Sequence, residues 1–530
     1  MKSPARWLLM IGALLLSACA PFVTVTLHST QPPETPLETP FAASTLPPEH
    51  TTIPAPEPSP TPPPGRELPE LDVQIGLLES VNVSNIDPET LTRYWIEIEI
   101  QFEPGSNEAL IDGTAHIEYT NTTGGPLYDL ALRLWPNDPQ YQSQMLAGPV
   151  MRDGRTLESD LEGDGTVMRI PFALPIEDGD TISLVVPFEV KIGTFQGQDP
   201  RRLGITEGVL IAPTFYPLIP RWLGEDWEVE TAPPGGDTTN SETALYHLVI
   251  TAPADLGLAV SGIEIDRTSI GDQQEATFVT GPMRDVAFAL GPFEENVRAV
   301  GGVSLRLWTL ADHGDDVDTV LDSAEAQFRL LSDLVGPYPY PELDIVDAPG
   351  AFGGIEYPGL VYIGTLGTPW VIEPTVHEVA HQWFYALIGD DQVDEPWLDE
   401  AAATFATALY YEISQGTGRG AGYLSELRAV VRNNRNAELP IGLPVGEYAS
   451  VNEYAVMVYF KGALFFDALR QQLGDRGFES FLQAYYDQYH FGFANAAAFQ
   501  DVAEHTCGCE LDPLFELWVY EGGEIPGVTD

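Results

Sequence analysis

From residue 68 to about 302 the chain alternates apolar and polar positions with a period of two. Tyr94, Ile96, Ile98, Ile100 and Phe102 fall on one side of such a segment, and Leu130, Leu132 and Leu134 repeat the pattern before Pro136. Successive side chains of a strand point to opposite faces, so this spacing predicts strands with one buried face. Similar runs at 182–192 and 246–251, separated by Gly, Pro, Asn and Asp clusters, complete the reading of 68–302 as an all-β domain. After 303 the period lengthens. A helix is expected over about 316–334, an edge strand around 359–364, and then two helices. In the first, Pro374 takes an early position, Val376, Val379, Ala380, Trp383, Phe384 and Leu387 recur at helical spacing, and Gly389 closes it. The second starts after Asp394-Glu395-Pro396, runs from Trp397 to about Ser414 and stops at Gly416. Beyond 420 the pattern is largely helical, clearest at 459–472 and 478–489, and there is no internal repeat.

The first 67 residues have neither period. Lys2 and Arg6 precede the apolar run 7–16, which is too short to span a bilayer and reads as an export signal over 1–19. Leu16-Ser17-Ala18-Cys19 resembles a bacterial lipobox, with Cys19 as the acylated first mature residue; ordinary cleavage within Ala18-Cys19-Ala20 is the alternative. Residues 20–67 are dense in Pro, Thr and Glu, a composition that cannot bury a core and, at about 3.1 Å per residue, makes an extended stalk. The expectation is an exported protein, lipid-anchored to a bacterial cell membrane on its extracytoplasmic side.

Composition narrows the partners. The chain has 530 residues, 44% of them hydrophobic, enough for two or three cores. Its formal charge of −55 rules against nucleic acid and anionic headgroups as partners, since both would be repelled. A solvated, self-repelling surface accounts for that charge, and a saline or acidic exterior is the other reading. Cys507 and Cys509, apart from Cys19 the only cysteines, suit a small local disulfide in an exported protein; a metal site with His505 lacks further ligands.

The chemistry lies in His377-Glu378-Val379-Ala380-His381, followed after eighteen intervening residues by Glu400 in Trp397-Leu398-Asp399-Glu400. Histidines four apart on a helix share a face, where both rings reach one ion at about 2.0–2.1 Å. A carboxylate from the first turn of the next helix supplies a third ligand, and three protein ligands leave a position for water, as in a catalytic zinc site. Glu378 is then placed to take that water's proton.

These residues resemble the aminopeptidase N and leukotriene hydrolase family of gluzincin metallopeptidases, whose pattern is HExxH, eighteen residues, then Glu. The resemblance covers about 90–525. Gly353-Gly354-Ile355-Glu356-Tyr357-Pro358 looks like the family's glycine-rich exopeptidase motif, which implies that Gly353, Gly354 and Glu356 bind substrate and that Glu356 takes its α-amine. Tyr459-Phe460-Lys461-Gly462 looks like the segment whose tyrosine stabilises the oxyanion, although Tyr459 would also suit a core aromatic beside Tyr454 and Phe460. The implied fold is multidomain α+β: a β-rich, saddle-like N-terminal domain over 68–302, then a thermolysin-like, mainly helical catalytic domain over 303–530 without the helical-repeat domain of longer members.

Three positions depart from the family: Tyr357 and Asp399 where asparagine is usual, and Thr407 where many members carry a glutamate that orients a ligand histidine. The first-domain acidic motif is also missing, since 212–222 holds no carboxylate. The resemblance implies one zinc held by His377, His381 and Glu400, Glu378 and Tyr459 as catalytic groups, and removal of N-terminal residues from peptides with a free amine. A zinc endopeptidase and a catalytically silent surface-binding lipoprotein are the alternatives; the intact Glu378 favours an enzyme, because binding alone needs no general base.

Overall fold

The computed structural model describes residues 68–530 apart from 82, 84–85, 195–201, 232, 237–239, 312–315 and 351–352. The export signal, Cys19 and the whole stalk over 20–67 therefore lie outside the described residues. No helix among those described is long and apolar enough to cross a membrane.

The predicted alternation is realised strand by strand. In Thr92–Gln101 the side chains of Tyr94, Ile96, Ile98 and Ile100 are buried while Glu97 and Glu99 face solvent. This strand is central in a nine-stranded sheet, antiparallel to Glu108–Thr120 on one side and parallel to Ala244–Pro253 on the other. Leu130 and Leu132 are buried in Leu127–Arg133, part of a three-stranded sheet, and a four-stranded sheet joins Gly204–Thr206, Val209–Pro213, Ala287–Gly291 and Gly257–Val260.

A five-stranded sheet then carries the chain into its second half. Phe293–Val300 and Val303–Leu310 form an antiparallel hairpin whose two-residue turn, Gly301-Gly302, has φ of 59° and 94°. Positive φ at both central residues makes the turn whose twist matches paired strands, and only glycine adopts it without strain. The order continues through Glu342–Ala348 and Leu360–Gly364 to Gly354–Tyr357. The edge position expected for 359–364 is therefore held by Gly354–Tyr357, and Leu360–Gly364 lies inside it between two partners. Glu356 sits within this edge strand rather than in a turn before a strand.

Val317–Leu334 forms as expected, with the Asp316 side chain accepting from the Thr319 backbone N–H at 3.1 Å as its N-cap. Trp397–Gln415 also matches, ended by Gly416 at φ 92°. The His377 helix is shorter than its periodicity implied. It covers Ile372–Ala380, so His381 is its C-terminal cap, and Gly389 belongs to a two-residue strand, Ile388–Gly389, paired with Gly492–Phe493. The cause is Tyr385, whose φ of 105° no L-residue helix can contain. That turn is held from the other half of the molecule, because Tyr385 donates its hydroxyl to Asp285 Oδ2 at 2.9 Å and its carbonyl accepts from Arg284 Nε at 2.9 Å.

Arg284 also donates to the carbonyls of Ser241 at 3.1 Å and Leu387 at 3.4 Å, and to that of Gly492. Its planar group stands over Phe493, 4.2 Å from the ring centre. A Cβ at Gly389 would come within 2.2 Å of the Arg284 Cζ, so this glycine serves close approach rather than helix termination. The apolar core is continuous across both halves, running from Ile96 and Ile98 through Phe328 and Trp383 to Phe465 and Trp518.

Farther on, Tyr459 lies in an irregular turn over Val456–Lys461 whose hydrogen bonds span five residues, ahead of the helix Gly462–Tyr489, which breaks at Gly474 with φ 70°. Tyr459 thus precedes the helix it was expected to begin. Cys507 and Cys509 are joined as a disulfide.

Candidate active site

A short helix, the first turn of a longer one and one strand edge meet around a triangle of ligand atoms. His377 Nε2 lies 3.1 Å from His381 Nε2 and 3.1 Å from Glu400 Oε2, and His381 Nε2 is 3.3 Å from the same oxygen. For bonds of about 2.0–2.1 Å, a tetrahedral ion has ligand-to-ligand edges of about 3.3 Å. Two imidazoles and one carboxylate at these separations fit zinc without rearrangement. All three residues are no more than 1% exposed. Burial alone would raise the Glu400 carboxyl, but the hydrogen bonds and charges of the two histidines hold it well below the usual carboxylate range.

His381 is oriented by its other ring nitrogen, which donates from Nδ1 to the Phe384 carbonyl at 3.1 Å and so turns Nε2 toward the triangle. Thr407 does not share this task, because its hydroxyl donates to the Ala403 carbonyl at 3.1 Å within its own helix. The Tyr459 hydroxyl donates to Glu400 Oε1, and its ring stacks on His377 at 5.9 Å. Tyr459 is 3% exposed, so it belongs to both the core and the site.

Glu378 projects from the same helix and is fully buried. Its near neighbour is Gly354. A Cβ there would fall 2.4 Å from Glu378 Cγ and 2.7 Å from Oε1, so a glycine at this position lets the sheet edge close on the carboxylate. Two residues along the strand, Glu356 is 2% exposed, and its carboxylate, His381 and Asp399 have ligand atoms within 4.8 Å of one another. Gly353 precedes Gly354 at the mouth of the same strand, where its carbonyl accepts from Gly364 N at 2.8 Å. The six site residues expected around the metal, together with both glycines, thus converge on one place.

Two contacts have no signal in the spacing of the sequence. Gln392, in the loop between the two helices, donates from Nε2 to Glu356 Oε1 and to Asp399 Oδ2, each at 3.1 Å. Asp399, a departure from the family pattern, also accepts from the Glu400 backbone N–H at 2.7 Å through Oδ1. The segment 212–222, which lacks a carboxylate, reaches the same loop with a cation: Arg221 Nη1 lies 3.4 Å from Asp391 Oδ2. Tyr357, the third departure, points away into a small apolar cluster and packs edge-on against Tyr362 at 5.6 Å.

Comparison with known proteins gives the same site a lineage. Residues 320–518 match the peptidase family M1 domain. Aminopeptidase M1-B of Oryza sativa subsp. japonica is 25% identical over 302 residues, which is 53% of this chain and 34% of that protein. Probable aminopeptidase 2 of Sulfurisphaera tokodaii is 25% identical over 301 residues, 53% of this chain and 38% of that protein. The chain thus spans about a third of the length of the curated relatives it matches. Among solved structures, the M1 zinc metallopeptidase of Deinococcus radiodurans superposes with a TM-score of 0.62 at 19% identity, covering 83% of this chain and 95% of its own. A two-domain M1 zinc metallopeptidase bound to L-arginine gives a TM-score of 0.63, also at 19% identity, covering 86% and 99%. These two likenesses concern the fold: a β-rich first half followed by a helical second half. The domain match over 320–518 and the aminopeptidase relatives make the second half of this chain similar to M1 zinc metallopeptidases, and the fold of the whole described part agrees with that likeness.

Proposed function

We propose that this protein is a zinc aminopeptidase that removes N-terminal residues from peptides outside the cytoplasm. The observation that carries the reading is the His377, His381 and Glu400 triangle, with Glu378 packed against the sheet edge and Glu356 within 4.8 Å of His381 on the same strand. Zinc, when bound, polarises the scissile carbonyl and makes its water acidic enough to deprotonate near neutral pH. Glu378 accepts that proton as the water oxygen adds to the carbonyl carbon, and returns it to the amine nitrogen as the C–N bond breaks. Tyr459 offers its hydroxyl to the developing oxyanion, a contact worth about 3 kcal/mol in comparable sites. Glu356 pairs with the substrate α-ammonium and so holds the first peptide bond in place.

Support from relatives is in line with this. A structure of the Deinococcus radiodurans enzyme carries Tyr-Ser-Ala as a substrate, and the curated relatives are named aminopeptidases. Free amino termini should then be required. N-acetylation of a short peptide is expected to stop its cleavage, and Glu356→Ala to cost mainly unblocked substrates, by about 10²-fold in kcat/KM. Internal cutting of blocked peptides at rates comparable to free ones would replace the aminopeptidase with an endopeptidase.

The place of action rests on the signal and stalk. The run of Leu16-Ser17-Ala18-Cys19 after a short apolar segment supports a lipid anchor, with residues 20–67 as a spacer and the folded part held away from the membrane. Full-length protein expressed in bacteria should partition into a detergent phase and Cys19→Ala should not, since acyl chains contribute about 0.8 kcal/mol per buried CH₂. Equal partitioning of the two forms would exclude acylation at Cys19.

A further inference from the structure

Gln392 is 2% exposed and lies on a loop between two helices, a place where an uncharged amide is costly to bury unless its groups are bonded. Its Nε2 reaches two carboxylates at once, Glu356 Oε1 and Asp399 Oδ2, each at 3.1 Å. A primary amide has two N–H donors, one for each acid, and the flipped amide would set its carbonyl oxygen against both. The backbone is held as well. Asn240, from the first half of the chain, accepts from the Gln392 N–H at 3.3 Å and donates to Asp391 Oδ1 at 3.1 Å.

The two acids come from different elements. Glu356 stands on Gly354–Tyr357, which has a strand partner on one side alone, so its position is not fixed by the sheet on both flanks. Asp399 stands in the first turn of the helix that carries Glu400, and its other oxygen accepts the Glu400 N–H. The amide of Gln392 therefore ties the free edge of the sheet to the helix bearing the third zinc ligand. It also places a neutral double donor between two buried carboxyl groups.

We propose that Gln392 is a positioning residue for substrate binding: it fixes Glu356 at the distance and angle at which that carboxylate receives the α-ammonium, and Asn240 fixes Gln392. The inference rests on the aminopeptidase reading above. It concerns how tightly the amine is held, and not the proton transfer at Glu378, so its effect belongs in KM.

The test uses the full chain with zinc content measured in every variant and alanyl-aminomethylcoumarin as probe. Gln392→Met keeps the length of the side chain and removes both donors. It is expected to raise KM about tenfold while kcat stays within about twofold and zinc stays at one per chain, because one charge-assisted contact is worth roughly a factor of ten. In a Glu356→Ala background the same change should move KM by less than about twofold, since the group it positions is gone. Asn240→Ala gives a second route should the first variant fold poorly, with a rise in KM of about threefold expected from a loosened loop. An unchanged KM in Gln392→Met, with Glu356→Ala still raising it, overturns the role of Gln392 and leaves the aminopeptidase intact. Equal effects of Gln392→Met in both backgrounds overturn it too, by showing that Gln392 acts elsewhere. If Glu356→Ala leaves KM unchanged and blocked substrates are cut, the aminopeptidase reading falls and this inference with it.

Discussion

Glu378→Gln should keep one zinc per chain and lose about 10²- to 10⁴-fold in kcat, the range typical of a missing general base. The substitution spares every atom of the His377, His381 and Glu400 triangle, and Gln has the shape of Glu, so the close packing against Gly354 survives. What disappears is the ability to take a proton from the attacking water. Elemental analysis alongside kcat on an aminoacyl fluorophore separates the two properties. A variant that kept wild-type turnover would show that another group serves as base, and one that lost its zinc would show that Glu378 shapes the ligand set. Glu400→Ala makes the contrast, since it removes a ligand outright and should lower zinc affinity first.

The largest effect on stability is expected at Arg284. It is 1% exposed and donates to four main-chain carbonyls, those of Ser241, Tyr385, Leu387 and Gly492. Three of these acceptors belong to the second half of the chain, so one side chain of the first half closes the backbone behind the zinc site. Arg284→Met keeps most of the volume and strands the acceptors in a buried place, at a cost of about 3–5 kcal/mol. Thermal unfolding should show a lower midpoint, and activity should fall even below it, because the Tyr385 turn that follows His381 loses one of its two holds. A midpoint within error of wild type would mean that water or repacking satisfies those carbonyls.

How far the molecule can be read from its sequence depends on how local each cause is. The strand around Ile96 and Ile98 is legible because one-sided burial writes a period of two into the chain, and the helix Trp397–Gln415 because both of its ends carry their own stop and start signals. The metal triangle is legible for the same reason: a one-turn spacing on a helix and the first turn of the next are short-range facts. The end of the His377 helix is not. Val379, Trp383 and Leu387 continue the helical period, and the chain turns at Tyr385 only because Asp285 and Arg284, about a hundred residues earlier, hold that residue with φ 105°. Edge identity failed on similar grounds, since the order of strands in a sheet is a property of the whole sheet. Gln392 carries no period, motif or cap, and its contacts with Glu356, Asp399 and Asn240 all come from residues that its place in the sequence does not point to.

The hairpin at 293–310 has a bearing on how this protein can be divided. Its turn, Gly301-Gly302, falls where the β-rich pattern ends, yet all eight residues of Phe293–Val300 are paired with the strand that follows. The sheet that seats Glu356 and backs Glu378 therefore takes one of its two edge strands, the one opposite Gly354–Tyr357, from the first half. A polypeptide started at Val303 would present Val303–Leu310 with one row of N–H and C=O groups bare, and bare strand edges recruit other chains. Such a fragment would hold every zinc ligand and still be prone to self-association. Inheritance of chemistry and independence of folding are separable here: the residues around the metal triangle form one block in sequence, while the smallest piece that keeps their sheet's edge paired includes Phe293–Val300.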